Sequence, residues 1–243
     1  MNLIKLFTIT IISLLVSSCG LTYKVLLGVD TSPEWKTDEQ ILKQAKKYDI
    51  PGESLLLLDT ATYKKELKTL YKEALLNTEI TDNDSSDYKE LKKARNDDFQ
   101  PAQFRLFDQN GIEIFKLVNC YLDPPIPINW NVDNCFDTFP PRTSYETLNI
   151  HMFELGFLLS HSRNVNQDML TFNELPKANY YGVIIWNDFF KRPSKRLIHT
   201  VREYVEKSDK SISLIYINNH NQYLWSAFDA KTKEEIKNKL QSK

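Results

Sequence analysis

The chain has 243 residues, 42% of them hydrophobic, which is ample for the core of one large domain. Its formal net charge is −1, and no basic stripe interleaved with aromatics is present, so the footprint of a nucleic-acid binder is missing. With only 6 glycines there is no Gly-rich loop to bring backbone amides around a phosphate, which excludes a P-loop or dinucleotide fingerprint, and no cofactor is expected.

Residues 1–18 read as a secretory signal. Lys5 supplies a positive n-region, Leu6 to Val16 an apolar h-region, and Val16-Ser17-Ser18-Cys19 a small-residue cleavage site. The apolar stretch is shorter than the about 20 residues a bilayer span needs. Its ending in cysteine resembles the lipobox of bacterial lipoproteins. That resemblance implies removal of residues 1–18, acylation of Cys19 (palmitate among the chains), and anchoring to the membrane of the cell envelope through the N-terminal lipid. Gly20, rather than aspartate, follows the cysteine, which favours the outer membrane of a Gram-negative cell.

Residues 19–36 are expected as a lipidated N-terminus and tether, and 37–243 as a single α/β domain. Thr37-Asp38-Glu39-Gln40 forms a capping box, and Ile41, Ala45 and Tyr48 continue one helical face until Pro51-Gly52. Leu55 to Leu58 is a buried-strand candidate, followed by a helix from about Thr60 to Leu76. Residues 77–87 are polar and acidic without apolar period, an exposed loop, with a short charged helix around Tyr88 to Arg95. Asp97-Asp98 adjoins this polar region and reads as solvated charge.

Pro101 to Val118 reads as a hairpin turning at Asn110-Gly111, both tolerant of positive φ. Residues 123–143 hold Pro124, Pro125, Pro127, Pro140 and Pro141, and such a loop is usually functional or tied down by a constraint. Cys120 and Cys135 bracket much of it. In an oxidising compartment they are expected to bridge, closing a loop for about 3 kcal/mol in the chain-entropy model; a redox-active pair is the alternative. Tyr145 to Leu159 is ambiguous between strand and helix, and Asp168 to Leu175 suggests a short helix.

The organising unit is 180–219. Gly182 to Trp186 and Ser211 to Asn218 are short β-branched apolar runs, expected as parallel neighbours buried on both faces. Between them a polar turn, Asn187 to Arg192, leads to a helix opening at Pro193, with Leu197, Val201, Tyr204 and Val205 on one stripe. A thin amphipathic helix, Asp229 to Gln241, is expected at the end. The fold class is therefore α/β, a mixed-sheet sandwich.

Trp186 and Phe190-Lys191-Arg192-Pro193-Ser194-Lys195 resemble the strand–helix junction of thioredoxin-like proteins, where an aromatic precedes Cys-x-Pro-Cys-Lys. Lys191 stands at the nucleophile's place, Pro193 at the proline and Ser194 at the resolving cysteine, so both sulfurs are absent. Pro101 before the Phe104 strand resembles the family's cis-proline, although here the hairpin precedes the central unit. The resemblance implies a thioredoxin-like frame without its dithiol, hence a non-catalytic binding or structural role, with thiol-disulfide exchange through Cys120 and Cys135 as the alternative. Candidate binding residues are Trp186, Lys191, Arg192, Pro193 and Ser194, with an envelope protein or small anionic ligand as partner. His151, His161, His199 and His220 lie in separate elements, so no metal site is expected, and His199 falls on the polar helical face.

Overall fold

The computed structural model describes residues 28–30, 32–59, 61–77, 86–122, 129–142, 154–227, 229, 231, 232 and 234. The signal sequence, Cys19, loop residues 123–128 and 143, His151 and most of the expected C-terminal helix lie outside them.

In chain order the elements are α1 (Asp38–Lys47), β1 (Leu55–Leu58), α2 (Tyr63–Asn77), α3 (Ser86–Asp98), β2 (Gln103–Asp108), β3 (Glu113–Val118), α4 (Leu155–Ser160), β4 (Ser162–Arg163), β5 (Tyr180–Trp186), α5 (Lys191–Lys207), β6 (Ile212–Asn218) and α6 (His220–Ala227). The six strands form one mixed sheet in the order β3-β2-β5-β6-β1-β4. β5 and β6 are parallel, as are β6 and β1. The β2–β3 hairpin lies antiparallel against β5, with Phe104 opposite Ile184. The α/β class, the mixed sheet, and the parallel pairing with the hairpin beside it are as the sequence led us to expect.

Side-chain alternation along the strands builds two cores. Leu55 and Leu57 join Phe104, Leu106, Ile184, Trp186 and Tyr216 on one face, covered by Ile41 and Ala45 of α1 and by Leu197, Ile198 and Val201 of α5. Leu56 and Leu58 join Phe107, Val183, Ile185, Ile215 and Ile217 on the other, covered by α2, α3 and α4. Each of the four β1 leucines is at most 5% exposed, and burying such a side chain fully contributes about 1.5–3 kcal/mol. Helices on both faces explain why β1 and β5 read as continuous apolar runs.

Local signals acted as expected at several ends. Thr37 Oγ1 accepts from the Gln40 amide and Gln40 Oε1 from the Thr37 amide, so the capping box is complete. In the hairpin turn only Gly111 takes positive φ (+80°), and the Asp108 carboxylate accepts from the Asn110 and Ile112 amides. α5 opens at Lys191, two residues before Pro193, because proline is well tolerated in the first helical turn. Leu155–Ser160 resolves as helix, and the short helix expected at Asp168 to Leu175 is a 3₁₀ turn at Phe172–Glu174. Among the described residues no helix is long and apolar enough to cross a membrane.

Candidate functional site

The carboxyl ends of β5 and β6 meet the first turn of α5, and Asn187 makes the junction. Its Nδ2 donates to the Pro101 carbonyl (2.7 Å) and to Asn219 Oδ1 (3.1 Å), while its Oδ1 accepts from the Phe190 amide (2.8 Å). Asn219 Nδ2 donates to the same Pro101 carbonyl (3.1 Å), so two asparagines clamp the start of β2 to the ends of β5 and β6. The peptide bond before Pro101 is trans, against the cis-proline likeness; among the described residues only Phe139–Pro140 is cis.

A strap of chain ahead of α1 crosses this junction. Val29 pairs antiparallel with Phe190, and the Asp30 amide donates to the Phe189 carbonyl (2.7 Å). Lys36 forms an ion pair with buried Asp188, and its backbone exchanges hydrogen bonds with the Asn221 side chain. His220 Nε2 lies 2.8 Å from the Glu34 carbonyl. A carbonyl only accepts, so Nε2 carries the hydrogen and Nδ1 faces the interior as a bare acceptor. Buried Nδ1, Asp188 Oδ1 and Asn218 Nδ2 find no hydrogen-bond partner among the described residues. Burial lowers the His220 pKa below its ordinary value, against the opposing pull of the Glu34 carbonyl. Within the segment expected as a tether, Val29, Asp30, Glu34 and Lys36 thus contact the domain.

The five candidate binding residues separate. Trp186 and Ser194 are 0% exposed and Pro193 is buried, whereas Lys191 and Arg192 are exposed. Trp186 packs edge-on against Tyr48, and Ser194 Oγ accepts from the Asn187 amide. Trp130 Nε1 donates to the Pro193 carbonyl (2.9 Å), seating the Pro-rich loop on the helix. Trp186, Pro193 and Ser194 therefore belong to the core, because the aromatic and the first-turn stripe face the sheet. What faces solvent is basic: Lys191, Arg192, Lys195, Arg196 and His199.

No bridge joins Cys120 and Cys135; both are free. The Cys120 thiol faces Asp97 Oδ1 (3.5 Å), and the Cys135 thiol faces the Trp130 carbonyl (3.6 Å). Burial, then the Asp97 carboxylate, pushes Cys120 up to about 12, and burial pushes Cys135 up to about 12. The thiolate needed to start exchange is disfavoured at both.

A second polar assembly lies under the other sheet face. Arg105, 1% exposed, donates to Asp98 (2.5 Å), Glu113 (2.7 Å) and Gln103 Oε1, while Lys116 and the Tyr71 hydroxyl also reach Asp98. Asp97 accepts from the Tyr121 hydroxyl (2.5 Å). Asp97 and Asp98 are each 2% exposed; they are not solvated charge, because the end of α3 packs against β2 and β3. Beside them a pocket of about 180 Å³ is lined by Tyr63, Asp98, Gln103, Asn219 and Tyr223, with the Tyr63 hydroxyl buried. This is below the roughly 300–1,000 Å³ of small-molecule and cofactor sites.

The Trp186 to Ser194 turn, a candidate contact surface from the sequence, includes Asn187, but nothing in the sequence marked Arg105 or the strap as site-forming: a charged residue in a strand is ordinary until both faces of the sheet prove covered. Compared with known proteins, the chain matches no family model, no curated protein and no solved structure.

Proposed function

We propose that this chain is a lipid-anchored protein of the bacterial envelope, on the outer membrane of a Gram-negative cell, with a non-catalytic binding or structural role on a thioredoxin-like frame that lacks the dithiol. The frame is supported by the β5–α5–β6 unit with its parallel strands and by the antiparallel hairpin against β5, which here comes earlier in the chain than in thioredoxins. One observation carries the non-catalytic role. At the helix opening, where the family has its cysteines, stand Lys191, an exposed amine, and Ser194, a buried hydroxyl engaged by the Asn187 amide. The two cysteines of the domain lie elsewhere, the Cys135 thiol pushed up by burial and the Cys120 sulfur, on an otherwise exposed residue, by its local desolvation and the Asp97 carboxylate beside it. Anchoring rests on the lipobox-like Val16-Ser17-Ser18-Cys19.

An insulin-reduction assay with thiol trapping tests the role. No turnover is expected from the wild type, Cys120→Ser or Cys135→Ser proteins, and turnover that disappears in either variant would overturn it. Globomycin-sensitive processing and an acylated Cys19 peptide by mass spectrometry test the anchor; an unmodified Cys19 would reject it.

A further inference from the structure

The outer surface of the first half of α5 is basic. Lys191, Arg192, Lys195, Arg196 and His199 are all exposed, and at 100° per residue they fall within an arc of about 140°. No acidic residue appears along the helix before Glu203. A helix N-terminus is the positive end of the macrodipole, where carboxylates stabilise and cations do not, so four Lys and Arg there are locally unfavourable. They stand out in a chain whose net charge is −1.

The route of the chain supplies the second observation. Gly28 runs directly against this face: a side chain on it would begin 3.3 Å from Arg192 Cγ and 3.6 Å from Lys191 Cβ, and its φ is +60°. Val29 then pairs with Phe190. Gly28 lies nine positions after Cys19, a distance of at most about 30 Å fully extended. An acyl group on Cys19 therefore keeps the basic face within reach of the bilayer to which it is attached.

We propose that the Lys191, Arg192, Lys195 and Arg196 face of α5 rests on an anionic phospholipid surface, so that the protein meets the membrane at two points. This builds on the lipid-anchor assignment above. The acyl chains retain the protein, and the basic face fixes its orientation, directing α5 at the headgroups and α2 and α3, on the opposite sheet face, away from them.

The test is flotation of the processed chain, from Cys19 onward and produced without acyl groups, on vesicles of one part phosphatidylglycerol to two parts phosphatidylcholine. Binding is expected at low salt, absent on pure phosphatidylcholine, and lost at about 0.5 M salt, where screening shortens to a few ångström. Each basic residue near such a surface strengthens partitioning about fivefold. Lys195→Gln/Arg196→Gln is thus expected to weaken it about thirtyfold with an unchanged circular dichroism melt, whereas Lys65→Gln/Lys68→Gln on α2, the same charge change on the opposite face, leaves it within about twofold. No flotation of the wild type, binding indifferent to headgroup charge, or equal losses in the two variants would each overturn the proposal. Flotation without acyl groups reports the basic face alone, and the mass of the Cys19 peptide reports acylation alone, so the two failures are told apart.

Discussion

Arg105 and Asp98, each with a side chain 1% exposed, meet at 2.5 Å beneath the sheet. Glu113 and Lys116 join them, so that two cations and two anions meet here among the described residues. Replacing such a buried pair wholesale is often neutral, but removing one member strands the others. Arg105→Met is expected to destabilise by about 3–5 kcal/mol in urea unfolding. Arg105→Met/Glu113→Gln should lose less than the sum of the single changes, by about 1 kcal/mol or more; strict additivity would show that the groups do not act together.

Asn187 holds two carbonyl partners and one amide in a region 0% exposed. Asn187→Ala removes all three bonds and leaves the Phe190 amide and Asn219 Oδ1 short of partners, at about 1–3 kcal/mol for each unsatisfied group, while the Pro101 carbonyl keeps the Asn219 amide. A loss of about 3 kcal/mol or more by chemical denaturation is the expected result. A loss under about 1 kcal/mol would mean that the junction is held by apolar packing alone.

Stability should depend on pH in two separate windows. His220 has a lowered folded pKa because burial disfavours its charged form; Lys36, Asp188 and Asp30 are the charged groups acting on it. The unfolded chain therefore takes up a proton first. Stability is complete above about pH 6.5 and falls as the pH drops from there toward the folded value. His220→Gln, which keeps a donor near Glu34, should flatten the fall of the melting temperature below about pH 6.5. For Asp98, burial alone would raise the pKa, but Arg105 and Lys116 outweigh it and hold the carboxylate below the ordinary value. Its contribution persists above about pH 3.9 and is lost as the pH falls through the lower folded value.

With the thiols unbridged, a reducing agent should leave the melting temperature unchanged. Reduction of a structural bridge closing 16 residues would instead remove about 3 kcal/mol. Cys120→Ser, on an exposed residue, is expected to lie within about 0.5 kcal/mol of the wild type. Cys135→Ser, at 2% exposure within the core, should cost about 1–3 kcal/mol. Both thiols should alkylate slowly at neutral pH.

Much of the frame was legible because its signals are local. Val183-Ile184-Ile185 has the composition of a doubly covered strand, Thr37 and Gln40 cap a helix within three residues, and Asn110-Gly111 turns a hairpin. α6 carries no apolar stripe that would announce it: among its described side chains Leu224 is the one buried apolar residue. The cysteine pairing failed for a different reason: spacing along the chain says nothing about which way each thiol faces. Trp186 and Ser194 were placed at a surface because a strand–helix junction reads as exposed, whereas here Tyr48, Trp130 and the strap close over it. Conversely Asp97-Asp98 read as solvated because the polar residues around them gave no sign that β2 and β3 lie against them.

The strap ahead of α1 also determines how mechanical load would enter the molecule. Tension applied at Gly28 reaches the pairing of Val29 with Phe190 and the Asp30–Phe189 hydrogen bond first, then Glu34 on His220, then Lys36 on Asp188 and Asn221, and only afterwards α1. A modest pull therefore uncovers His220 and Asp188 while the sheet and both cores stay intact.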